Sequence, residues 1–113
     1  MDLYNINIMR KINTTPYKVN VRTETEEKEI DYNIKNSIIT ILFQPALKLS
    51  AVELLKQNKL AEKVASSGDE LLLEEEEYTR LKIALDALEG LSRNDVEFVT
   101  RILEASSVEV EAK

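Results

Sequence analysis

The stretch LSAVELLKQNKLAEKVASSGDELLLEEEEYTRLKIALDALEGLSRNDVEFVTRILEASS, residues 49–107, carries three helix starts and two helix stops in plain chemistry. Ser50 is followed three residues later by Glu53, so the hydroxyl can accept a backbone N–H of the first turn while the carboxylate reaches back to the N–H of Ser50. Val52, Leu55, Leu60, Ala61 and Val64 recur at roughly helical spacing, and Ser66-Ser67-Gly68 ends the pattern with a residue that tolerates a left-handed conformation. A helix over about 51–67 follows. Glu74 to Glu77 read as a first helical turn, where negative charge meets the positive end of the helix dipole. Tyr78, Leu81, Leu85 and Leu88 continue as one stripe, and Gly90 stops it. Ser92, with Asp95 as its acid, opens a third helix carrying Val96, Val99 and Leu103 on one face and Phe98 and Ile102 beside it. Gly90-Leu91 is so short a join that an αα-hairpin is expected.

Working outward, 113 residues make one domain with a modest core, and 43% hydrophobic with 32% charged residues are values of a folding chain. Two glycines, two prolines and six aromatics leave little material for the many tight turns of a sandwich or barrel. Cysteine and histidine are absent, which removes disulfides, thiolate and imidazole chemistry and almost every zinc or iron site. No run approaches the ~20 apolar residues of a membrane span, and the first sixteen residues lack a signal-peptide pattern, so a cytoplasmic protein is expected. The charge is uneven. Arg10, Lys11, Lys18 and Arg22 against Asp2 give residues 1–22 a charge of +3, which leaves −9 for the rest of a chain at −6. A basic arm precedes an acidic body.

Tyr4, Ile6 and Ile8 alternate with Asn5 and Asn7, and Tyr17, Val19 and Val21 alternate with Lys18, Asn20 and Arg22, both at strand period. Asn13-Thr14-Thr15-Pro16 between them is a turn or a strand break. Ile30 and Tyr32 can pair as a short strand with Val19 and Val21. Residues 34–43 fork: Asn33 or Asp31 caps a helix with Ile34, Ile38, Ile41 and Leu42 inward, or the β-branched run Ile38–Phe43 is a buried strand. Helix is the expectation, because Lys35, Asn36 and Thr40 would form its polar side. Glu70–Leu73 is too short for a helix and is expected to add a strand to the N-terminal sheet. Val108, Val110 and Ala112 alternate with charges, as an edge strand or a frayed end; the frayed end is expected. The resulting organisation is an N-terminal arm or strand over 1–16, a single α+β domain over 17–107 and a frayed tail over 108–113. Its fold class is α+β, a small N-terminal β-hairpin or sheet packed on three to four helices.

No catalytic signature sits on this frame. The acids Asp69, Glu70 and Glu74–Glu77 radiate around a helix start and lack calcium-loop spacing. Ser66-Ser67 and Ser106-Ser107 have no imidazole base, and neither glycine lies in a phosphate-binding loop. No enzyme, metal, cofactor or small-molecule substrate is expected. Two surfaces remain. Arg10, Lys11, Lys18 and Arg22, interleaved with Tyr4 and Tyr17, could contact single-stranded nucleic acid. A helix-turn-helix reading of the last two helices fails on charge, since Arg93 and Arg101 face Asp95, Glu97 and Glu104. The other surface is Phe98 and Ile102, which widen the apolar arc of the third helix beyond what one neighbour covers. They are expected to meet a second copy or another protein; the alternative is that the same subunit covers both lines.

The middle of the chain resembles small orphan proteins encoded among the genes of tailed bacteriophages and prophages. The likeness rests on Leu-Ala-Glu-Lys-Val at Leu60–Val64, the leucine strand running into Glu74–Glu77, and the helix through Leu81 and Leu85, and it covers about residues 30–88. It implies a viral, host-cytoplasmic accessory or assembly protein with no catalytic residues. From the residues themselves the expected partner is a second copy (a homo-oligomer) or another protein, with nucleic acid the lesser alternative and no membrane.

Overall fold

The computed structural model describes residues 6–111. Five strands and four α-helices follow in the order β1 (Ile6–Asn13), β2 (Tyr17–Arg22), β3 (Glu27–Tyr32), α1 (Ile34–Leu42), α2 (Ala51–Ser66), β4 (Glu70–Leu73), α3 (Glu75–Asp86), α4 (Val96–Leu103) and β5 (Ser106–Glu111), with 3₁₀ turns at Pro45–Leu47 and Arg93–Asp95. The class is α+β, as the sequence implies. Among the described residues no helix is long and apolar enough to cross a membrane.

The strands form two sheets. β1 lies at the centre of the first, antiparallel to β4 on one side and β5 on the other, while among the described residues β2 and β3 pair only with each other. Asn13–Pro16 is therefore a strand break, and the hairpin is made by the next two strands, with Val19 opposite Ile30 and Tyr17 opposite Tyr32. Asn13 Oδ1 accepts the Thr15 N–H, and the Thr14 hydroxyl donates to the Gly68 carbonyl, so side chains fix the break before Pro16 removes a ladder donor. The described part of the expected arm is thus the central strand; Met1–Asn5, with Tyr4, lie outside the described residues. The frayed tail is also corrected. Val108 pairs with Met9 and Val110 with Asn7, so 106–111 form an edge strand, and Ala112 and Lys113 lie outside the description.

Residues 34–42 are helical, capped by Asn33, whose side-chain oxygen accepts the Asn36 N–H. The helix wins over a strand because its period puts Ile34, Ile38, Ile41 and Leu42 together in the core and leaves Asn36 and Thr40 exposed. Ser50 Oγ accepts the Glu53 N–H at 3.2 Å, as its position requires, but the Glu53 carboxylate reaches Arg80 instead of turning back. Glu74 is the cap of α3, not part of its first turn, and its N–H donates to Glu77 Oε1. Gly90, at φ 72°, takes the left-handed conformation, and Gly68 does not. α3 stops at Asp86, so the link to α4 runs through 87–95, including the 3₁₀ turn, and is longer than a tight hairpin join.

Ile12 of β1 faces Leu71 of β4, and with Leu73 these side chains meet Val64, Leu81, Leu85, Phe98 and Ile102 in one core. α2 contributes only its second half. Leu60, Ala61 and Val64 are buried, but Val52 and Leu55, expected on the same line, are 62% and 66% exposed; the buried residue of the first half is Gln57.

Candidate functional site

α4 begins where the hairpin is pinned to the body. The Ser92 N–H donates to Asp95 Oδ2 at 2.8 Å, closing the turn that starts the helix. Tyr17 and Tyr32 stack at the base of the hairpin with centroids 4.7 Å apart. The Tyr32 hydroxyl donates to Asp95 Oδ1, and the Tyr17 hydroxyl donates to the Asn94 carbonyl while accepting the Phe98 N–H. Arg101 lies over the Tyr17 ring and donates to the Thr15 carbonyl. Hydrogen bonds from the Ser92 backbone and from Tyr32 hold the Asp95 carboxyl below its ordinary pKa, with burial opposing them. Burial and the neighbouring Asp95 push the Tyr32 hydroxyl well above the usual tyrosine range.

This anchoring fixes how α4 is rotated about its axis. Phe98 packs against Tyr32 at 5.6 Å, and Phe98 and Ile102 are 2% and 0% exposed. They offer no interaction surface, because the subunit buries them itself; of the alternative, that the subunit covers both lines, this half alone is observed. The other line points outward. Val96 and Leu103, with Leu91 beside them, are 59%, 47% and 47% exposed, and Val99 is half-buried on the flank. The surplus apolar arc on this helix is real, but its two lines have exchanged places. Leu91, Val96, Val99 and Thr100 line a depression of about 500 Å³. The adjoining one, bounded by Val19, Asn20 and Glu27 of the hairpin, shares Val96 and Thr100 with it.

The four cations do not gather. Arg10 and Lys11 lie on the first sheet and Lys18 and Arg22 on the second. Arg10 pairs with Glu75 at 2.7 Å, donates to the Ala105 carbonyl and stacks on Tyr78. Lys11 is 3.4 Å from Glu70 and Lys18 is 2.6 Å from Asp31, while Arg22 lies opposite Glu27. Three of the four meet an acid and Arg22 has one opposite it in strand register, and the four are divided between two sheets, so among the described residues they form no single positive stripe to face a phosphate backbone. The acidic set is likewise engaged at the α3 start: Glu75 on Arg10, and Glu77 on Lys63 and the Glu74 N–H.

A third depression, about 450 Å³, lies between the 47–49 segment, α2 and α3. At its floor Gln57 donates to the Leu42 carbonyl and accepts from Arg80, which also meets Glu53 at 2.5 Å. These groups satisfy one another and tie three helices together. The sequence signal for this was that Gln57 falls on the side of Leu60, Ala61 and Val64. The signal for the outward line of α4 was Thr100, a polar residue between Val96 and Leu103. The chain matches no protein-family model, no curated protein and no solved structure.

Proposed function

We propose that this protein acts by protein–protein contact, without a catalytic step of its own, and that the contact surface is the outward face of α4. What carries the reading is the exposed line Val96–Leu103 with Leu91 at its head, set on a helix whose orientation is locked from behind by Phe98, Tyr17 and Tyr32. Scattered exposed leucines are ordinary; apolar side chains aligned on one rigid face are the pattern of a contact site. Each is about half-exposed, so removing it from water is worth roughly 1 kcal/mol, enough in sum to support a reversible contact. An accessory or assembly role in the cytoplasm of a phage-infected cell, implied by the resemblance of residues 30–88, fits a protein that works by such contacts.

A photo-crosslinking residue at Glu104, exposed at the end of this face, tests the reading. In cell lysate it should form adducts with protein chains, and Val96→Asp with Leu103→Asp should abolish them while leaving the circular dichroism spectrum unchanged. Adducts that persist in the double variant would place the contact elsewhere.

A further inference from the structure

We propose that the occupant of this face is a second copy of the chain, with the two α4 helices antiparallel about a twofold axis passing between Val99 and Thr100. The inference rests on the contact reading given above and names its partner. The face has a polarity of its own. Arg93 stands between Leu91 and Val96 and Glu104 directly after Leu103, both exposed, and among the described residues neither has an ion-pair partner. Glu97, the other acid on the flank, is held by Arg101. A twofold arrangement brings Arg93 of each copy toward Glu104 of the partner subunit, whereas a parallel arrangement sets like charges side by side. Opposite charges meeting at both ends of an apolar contact fix its register and orientation.

The shape is self-complementary in the same sense. Leu103 projects from the far end of the line, seven residues and about 10 Å along the helix from Val96. The depression of about 500 Å³ lies at the near end, lined by Leu91, Val96 and Val99 and rimmed by the polar Ser92, Arg93, Asp95 and Thr100. Antiparallel packing seats Leu103 of each copy in the depression of the other. Thr100, small and exposed between them, lets the axes approach to the ~8–10 Å of packed helices. An eight-residue helix is only about 12 Å long and cannot by itself reach the ~800 Å² per partner of a standard interface, so the contact extends onto the hairpin edge beside Val96. The dimer is consequently one that dissociates on dilution.

Sedimentation equilibrium of the full chain from micromolar to millimolar concentration reads the outcome. The wild type should pass from monomer to dimer. Arg93→Glu and Glu104→Arg should each weaken dimerisation roughly tenfold, and the two changes together should restore it, because the reversed charges meet again across the axis. Val96→Asp should leave a folded monomer. A wild type that stays monomeric at the highest concentration overturns the second copy as occupant but leaves the contact face itself to the crosslinking experiment. A dimer indifferent to Val96→Asp overturns this face as the place where the copies meet, and a double charge variant no better than the single ones overturns the antiparallel arrangement.

Discussion

Phe98 and Val99 are neighbours of similar hydrophobicity, yet one is sealed in the core and the other half-open. Periodicity alone could not order them, because both lines of α4 are apolar and the phase of a short helix is set by what holds it from outside. The deciding contacts are with Tyr17 and Tyr32, more than sixty residues away in the chain. Thr100 was the one local clue, since a core-facing line rarely interposes a hydroxyl between two aliphatic residues. Phe98→Ala should therefore cost about 3–5 kcal/mol of unfolding free energy, measured by urea denaturation, where an interface residue would cost the monomer little. Gln57 was legible in the same way, as a polar residue in register with Leu60 and Val64. Its replacement by Ala strands the Leu42 carbonyl and one Arg80 donor, and a loss of about 1–3 kcal/mol is expected in the same assay. The Tyr32–Asp95 bond gives the fold two pH limits. Asp95, held below its ordinary 3.8, contributes stability that is present above about pH 4 and lost as the pH falls through its lowered value. Tyr32, raised above its ordinary 10.0, contributes stability present below that pH and lost as alkali removes the donor proton. Asp95→Asn should flatten the acid limb of urea midpoint against pH, and Tyr32→Phe the alkaline limb.

At the level of elements, the capped helices were readable because their boundary signals are local. Ser50, Asn33 and Ser92 each sit where a hydroxyl or amide meets an orphan backbone donor or its own turn, and each does so in the structure. Strand partners were less readable, since alternation announces a strand without naming its neighbour. Tyr17–Arg22 and Glu27–Tyr32 form a ribbon in which residues 20–31 are all exposed. A two-stranded hairpin is marginal alone, and only its base is packed, by the stacked tyrosines and by Asn94 donating to the Asn20 carbonyl. Amide hydrogen exchange should accordingly be fast over 20–31 and slow at 17–19 and 32. In Tyr32→Phe the slow amides at the base should approach the rates of the tip, because the ring still stacks but no longer holds Asp95. Uniform protection along the ribbon would mean that something other than the tyrosine pair supports it.

For the molecule as a whole, the decisive pairing joins segments about a hundred residues apart, Met9 with Val108 and Asn7 with Val110. Nothing local prefers this over a loose tail, because Ser-Ser-Val-Glu-Val-Glu is apolar on one side only and resembles a strand as much as a solvated end. What decides is that β4 reaches only residues 10–13 of β1, leaving 6–9 without a partner until β5 arrives. An edge strand has a directional property that a frayed end lacks. Successive N–H groups point alternately toward β1 and away from it, so of Val108 and Glu109 one donates into the ladder and the other faces open solvent. Proline at the inward position removes a bond and leaves a β1 carbonyl unpaired, a loss of roughly 1–3 kcal/mol, while proline at the outward position sacrifices no such bond. Urea unfolding of Val108→Pro and Glu109→Pro should therefore give unequal losses, the larger accompanied by faster exchange of the amides of residues 6–9. Equal and negligible effects would mean that β5 is not bound, and that residues 6–9 of the central strand have no strand partner on either side.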